Sequence, residues 1–170
     1  MTFTPLKIAL LTVSDTRDDE TDRSGKYLVE QITAAGHAMA EKKIILPDDI
    51  YQIRALVSRW IADEHVQVII ISGGTGLTGR DGTPEAIAPL LDKAIEGFGE
   101  LFRTLSFNEI KTSTIQSRAL GGIANATFIF CIPGSPGACR TAWEGILKEQ
   151  LDSRNKPCNF VDLIPRLREI

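Results

Sequence analysis

Two aspartates, Asp48 and Asp81, stand on either side in sequence of the glycine-rich segment Ser72-Gly73-Gly74-Thr75-Gly76. A glycine cluster leaves backbone N–H groups open to an anion, and phosphate suits such a loop best. Carboxylates beside a bound phosphate repel it unless a cation lies between them. Mg²⁺ is the usual cation, because one or two carboxylates plus phosphate oxygens and waters complete its shell. The combination suits phosphoryl or nucleotidyl transfer, chemistry in which a protein mainly positions groups and neutralises charge. No Ser-His-Asp or Cys-His arrangement is evident. His37 and His65 lie far apart, and a solvated surface role is expected for both.

Other phosphate signatures fit less well. Gly74 to Gly79 formally matches GxGxxG, but a dinucleotide site needs a helix starting inside the motif. Here Arg80-Asp81-Gly82-Thr83-Pro84 intervenes, and the next helix is expected to begin with Thr83 as cap and Pro84 at its first position. GxxxxGK[ST] does not occur, nor does HExxH or a Cys/His cluster, so neither a P-loop nor a zinc site is expected.

The elements that must position these residues alternate. Apolar runs at Lys7 to Val13, Val66 to Ser72 and Thr127 to Ile132 read as strands buried on both faces. Ala38 to Leu46 reads as a further strand of weaker alternation. Helices are expected over Ser24 to Ala35 with Gly36 as the stop, about Ile50 to Glu64, Pro84 to Leu91, Gly99 to Asn108, and Ala138 to Leu151. Strands alternating with helices argue for a mostly parallel sheet covered on both faces. Ligands then bind at the carboxyl ends of the strands. Three strand exits fall there: Ser14-Asp15, Gly73 to Gly76, and Gly134-Ser135 after Pro133. Asp48 or Asp49 caps the helix near 50, which leaves one of the two for a metal or a phosphate-bearing ligand. Trp60 belongs to that helix's apolar stripe. Asp18 to Asp22 reads as a solvated, mobile loop. Gly121 to Asn125 reads as a turn. The hydroxyl run of Ser106, Thr112-Ser113-Thr114 and Ser117, with Arg118, either caps a helix or faces a polar ligand.

The 170 residues suffice for one domain, 1–170, with a core of about 7–157 and a tail, 158–170, whose place the sequence leaves open. A net charge of −3 argues against nucleic-acid binding, so a phosphate must be held by local donors. Three cysteines without a CxxC favour reduced thiols in a cytoplasmic setting. No apolar run reaches membrane-spanning length, and the first residues lack a signal-peptide pattern.

Several motifs together carry a resemblance. Thr12 to Asp15 (TVSD), Ser72 to Gly76 (SGGTG), Arg80 to Ala86 (RDGTPEA), Glu96 to Arg103 (EGFGELFR) and Pro133 to Ile146 (PGSPGACRTAWEGI) resemble the molybdopterin-binding family of molybdenum cofactor biosynthesis, closest to its bacterial MoaB branch. The resemblance spans roughly Lys7 to Pro157. It implies a three-layer α/β fold that assembles as a homotrimer or homohexamer. It also implies binding of molybdopterin, a pterin with a dithiolene and a terminal phosphate. The related MogA-type enzymes and the gephyrin G domain transfer AMP from Mg-ATP to that phosphate, releasing pyrophosphate. Carried over by position, Asp48 and Asp81 match the family's two functional acids, as Mg²⁺ ligands and transition-state positioners. Gly73, Gly74, Thr75 and Gly76 match the loop that holds nucleotide or pterin phosphates. Ser14, Asp15, Ser106, Ser113, Pro133, Gly134 and Ser135 match positions of the ligand wall. The MoaB branch is not uniformly catalytic, so the resemblance implies either a molybdopterin adenylyltransferase or a molybdopterin-binding protein with little turnover. It leaves open a tungsten-pathway equivalent of the ligand.

Overall fold

The computed structural model describes residues 2–169. Its centre is a seven-stranded sheet, ordered β2-β1-β4-β7-β6-β5 with β3 also on β1. The strands are β1 (Lys7–Val13), β2 (Ala38–Met39), β3 (Ile44–Leu46), β4 (Val68–Ser72), β5 (Lys93–Ala94), β6 (Leu120–Ala124) and β7 (Thr127–Ile132). β2, β3, β4 and β7 join the parallel part; β5 and β6 are antiparallel.

Side-chain alternation along β1, β4 and β7 divides the core in two. Ile8, Leu10, Val68, Ile70, Phe128 and Phe130 point to one face, where Leu28 and Ile32 of α1 (Arg23–Ala34), Phe98 and Phe102 of α4 (Glu96–Ile110) and the C-terminal helix meet them. That helix starts as α5 (Pro136–Ala142), passes through a π turn (Trp143–Leu147) and ends at Lys148–Gln150. Ala9, Leu11, Ile69, Ile71, Ile129 and Cys131 point the other way. There they meet Ile53, Val57 and Trp60 of α2 (Ile50–Ala62) and Ala86 and Ile87 of α3 (Thr83–Ile87). The result is a three-layer α/β sandwich, as the alternating pattern predicts.

Several local expectations differ from what forms. The strand over Ala38 to Leu46 is broken, and β2 and β3 pair with β1 in separate stretches. The break lets Lys43 turn inward and Glu41 reach the Trp60 indole N–H and Arg59. Gly121 to Ala124 is no turn but the strand β6, paired to β7. The turn is Asn125-Ala126, with φ of 44° and 63°. Left-handed backbone at both central residues is what a tight two-residue hairpin needs. The helix expected from Gly99 starts at Glu96. Thr112 and Ser113 cap nothing; they lie in a 3₁₀ turn, Lys111–Gln116. The tail does fold back. Phe160 stacks near Phe128 and Phe130, and Val161 is buried. His37 is buried rather than solvated: its Nδ1 accepts from the Leu6 N–H at 3.2 Å. Among the described residues no helix is long and apolar enough to cross a membrane.

Candidate functional site

The parallel register aligns Thr12 of β1 with Ser72 of β4, and Ser72 with Ile132 of β7. The three following loops therefore leave the sheet together. Gly73 has a φ of +105°, and a Cβ there would sit 2.2 Å from the Val13 carbonyl oxygen. A Cβ on Gly134 would lie 3.1 Å from the Gly73 Cα. Backbone approach this close leaves room only for glycine at Gly73. Between the loops opens a cavity of about 460 Å³. Ser14, Gly73 to Gly76, Asp81, Pro133 and Gly134 line it, together with Arg17, Gln116 and Ser117, whereas Asp15, Asp48 and Ser135 do not.

Threonine and arginine contacts shape the glycine loop. Thr83 is the first residue of α3 rather than its cap, and its hydroxyl donates to the Gly73 carbonyl at 2.8 Å. The Thr83 N–H donates to the Gly74 carbonyl at 2.9 Å. Arg118 donates from Nε to the Gly76 carbonyl at 2.8 Å and from Nη2 to the Asp81 carbonyl at 3.2 Å, and it pairs with Glu85. Its guanidinium therefore holds the loop. The loop's carbonyls are occupied, whereas the Gly74 and Thr75 N–H groups find no acceptor among the described residues. Unpaired N–H groups beside a cavity are what an anion requires.

Both acids lie against this loop. A Cβ on Gly74, whose φ is +64°, would meet Asp48 Oδ2 at 2.6 Å; one on Gly76 would meet Asp81 Oδ2 at 2.7 Å. The choice between the neighbouring aspartates is clear. Asp49 caps α2, accepting from the Tyr51 and Gln52 N–H groups, and Asp48 is left to the site. Asp48 accepts from the Gly82 N–H at 3.1 Å through Oδ1. Burial raises its pKa, and the charges of Asp81 and Asp15 add to the rise. Asp81 is held below the usual carboxylate range by the Thr78 hydroxyl, 2.6 Å away. Asp15 is held low by Arg80 and by the Asp48 N–H.

Arg80 is committed to Asp15, which leaves Asp48 and Asp81 as the two carboxylates near the loop not paired with a base. Asp48 and Asp81 would hold Mg²⁺, which needs few protein ligands. Among the described residues no cluster of three metal-ligating side chains occurs, so an all-protein cage is excluded there.

Behind the cavity lies a polar network that reading the acidic loop as solvated overlooks. Asp22 is fully buried and caps α1. It accepts from the Thr12 hydroxyl at 2.8 Å, the Gly25 N–H at 2.8 Å and Lys43 Nζ at 2.9 Å. Burial pushes its pKa up, but Lys43, the Gly25 N–H and Thr12 together outweigh that and lower it. The signal was an aspartate before a helix start, the ordinary N-cap pattern.

The remaining candidates divide. Ser14 Oγ accepts from the Thr16 and Arg17 N–H groups at 3.3 and 3.2 Å, which leaves its hydroxyl hydrogen for the cavity. Ser135 caps α5 through the Ala138 N–H, just behind the cavity wall. Ser106 is buried in α4 and Ser113 is exposed in the following 3₁₀ turn; neither lines this cavity. From that stretch only Gln116 and Ser117 reach the wall.

The family model described as "Probable molybdopterin binding domain" matches residues 9–153. Over 158 residues the chain is 57% identical to molybdenum cofactor biosynthesis protein B of Escherichia coli (strain K12), covering 93% of this chain and 92% of the relative. It is 44% identical to the protein of the same name from Staphylococcus aureus (strain COL), covering 86% and 88%. A crystal structure of molybdenum cofactor biosynthesis protein B superposes with a TM-score of 0.85 at 41% identity, covering 89% of this chain and 94% of that one. With the fold, the loops and the sequence in agreement, the chain belongs to the molybdopterin-binding family of molybdenum cofactor biosynthesis, alongside the bacterial B-type members.

Proposed function

We propose that the chain serves molybdenum cofactor biosynthesis as a molybdopterin adenylyltransferase. An oxygen of the molybdopterin phosphate attacks the α-phosphorus of ATP; the bond from that phosphorus to the β-phosphate bridging oxygen breaks, and pyrophosphate leaves. The observation that carries this reading is the placement of Asp48 against Gly74 and Asp81 against Gly76, two carboxylates against one glycine loop. Mg²⁺, when bound, supplies charge neutralisation between carboxylates and phosphates. The chain does the rest. Unpaired loop N–H groups and the Ser14 hydroxyl orient phosphate oxygens, and Arg118 and Thr83 keep the loop from shifting. Proximity of the two phosphates lowers the entropic part of the barrier.

A second reading is a molybdopterin-binding protein with little turnover. It is favoured by the lining of the cavity, which includes Asp81 and not Asp48. The two readings part on one assay: pyrophosphate release from Mg-ATP, with and without molybdopterin, in wild type and Asp81→Asn. Release that needs both the pterin and Asp81 supports the enzyme. No release from wild type that still binds the pterin supports the second reading. Assembly as a homotrimer or homohexamer is part of the proposal; it is supported by exposed apolar residues Leu101, Phe107, Ile110 and Ile115 on α4 and the turn after it.

A further inference from the structure

We propose that Arg17 is the cationic anchor of the site, binding a ligand phosphate where the loops after β1 and β7 meet. The inference rests on the phosphate-binding reading above and extends it to a residue that neither the loop motif nor the acid pair includes.

Among the residues that line the cavity, Asp81 is the one acid and Arg17 the one base. The other two arginines of the region are already committed. Arg80 is paired with Asp15, and Arg118 is spent on loop carbonyls and Glu85. Arg17 is held from one side only. Nη1 donates to Ser24 Oγ and to the Gly134 carbonyl, each at 3.2 Å, and lies 3.7 Å from Asp22 Oδ1. A guanidinium carries five N–H donors. Both on Nη1 are used; those on Nε and Nη2 have no acceptor among the described residues. The side chain keeps 32% of its surface open.

The mounting is rigid for an arginine. Ser24 Oγ also donates to the Gly134 carbonyl at 2.8 Å, so α1, Arg17 and the loop after β7 share one junction. Buried Asp22, itself fixed by Thr12, Gly25 and Lys43, stands behind it. A guanidinium fixed on one edge and open on the other offers a bidentate fork to a phosphate. A metal-bridged phosphate belongs by Asp48 and Asp81, and a phosphate without a metal belongs by Arg17. That phosphate comes from the pterin ester or from the nucleotide.

The test measures binding by calorimetry for wild type, Arg17→Gln and Arg17→Lys with molybdopterin, dephosphorylated molybdopterin, ATP and inorganic pyrophosphate. Loss of a charge-assisted bond should weaken at least one phosphate-bearing probe by about ten- to a hundredfold in Arg17→Gln. Arg17→Lys should recover part of the loss, and the dephosphorylated pterin should bind all three proteins alike. The probe that suffers identifies the source of the phosphate. Unchanged affinity of every phosphate probe in a folded Arg17→Gln would overturn the proposal, as would equal weakening of the dephosphorylated pterin, the mark of a merely structural role. If ATP or pyrophosphate binds in an Arg17-dependent way and the pterin does not bind wild type, the anchor stands and the molybdopterin reading falls. If no phosphate probe binds wild type, both fall.

Discussion

Arg80 holds Asp15 in a two-pronged ion pair, with Nε 2.9 Å from Oδ2 and Nη2 2.7 Å from Oδ1. The pair joins the loop after β1 to the loop after β4. Asp15 Oδ1 also accepts from the Asp48 N–H at 3.0 Å, so one exposed carboxylate fixes the backbone that carries Asp48. Asp15 is therefore a positioning residue. Asp15→Asn keeps the N–H contact and loses the ionic one. It should reduce pyrophosphate release less than substitution of either Asp48 or Asp81, and the ratio of the three rates checks this.

Asp81→Asn should lower molybdopterin-dependent pyrophosphate release at least about a hundredfold, the scale of removing one strong electrostatic contact to a transition state. The half-buried carboxylate has Thr78 as its near partner, so folding should be little affected. Melting within a few degrees of wild type, with the rate gone, is the expected pair of results. A variant with wild-type rate would remove Asp81 from the mechanism.

Gly74→Ala combines a left-handed φ of +64° with a Cβ 2.3 Å from Thr83 Oγ1 and 2.6 Å from Asp48 Oδ2. The strain alone is worth about 1–3 kcal/mol. Chemical denaturation should show that loss. The displaced acid should also weaken Mg²⁺-dependent ligand binding more than the fold is weakened.

Asp22→Ala leaves Lys43 Nζ without its buried partner. Breaking a buried pair costs about 3–5 kcal/mol, which denaturant titration resolves. The pH dependence has a definite direction. The folded pKa of Asp22 lies below its value of about 3.9 in an unfolded chain. Its contribution is therefore complete above that value and is lost as pH falls through the folded one. Asp22→Asn should flatten the acid limb of the stability curve.

His37 acts in a higher window. Burial lowers its pKa, against a weaker opposing pull from Asp152. A protonated ring has no lone pair on Nδ1 for the Leu6 N–H. The unfolded chain takes up the proton first, near pH 6.5, so stability is full above that and declines as pH falls through the folded value. The acid-side decline should vanish in His37→Gln, which acid titration of stability by denaturant checks.

How much of this was legible follows from where each residue's constraint comes from. β1, β4 and β7 are covered on both faces, so each had to be a continuous apolar run, and the sequence displays it. The three exits and the glycine loop follow from those strands. β6 was hidden because Gly121 and Gly122 pack tightly, with Cβ positions 3.0 Å from Phe98 and 2.4 Å from Leu91. A strand that needs glycine for close packing looks like a turn. Asp22 was hidden because its burial depends on Lys43, 21 residues away, turning in at a strand break. The same distance problem applies to Ser106 and Ser113. Their hydroxyls suit a ligand, but helix phase and the 3₁₀ turn set them outside the cavity, while Gln116 and Ser117 line it.

The parallel register that sets Thr12 beside Ser72 and Ser72 beside Ile132 also governs when a site exists at all. Its walls come from near residues 14, 74 and 134, stretches that local structure never brings together. Such pairing is slow, because the chain must close long loops before any contact repays them. A nascent or truncated chain lacking β7 has no third wall and no ligand affinity. Conversely, a ligand that seats there opposes every opening that removes a wall, from the release of one loop to unfolding of the sheet. Proteolysis of the intact chain should then slow when the cavity is filled.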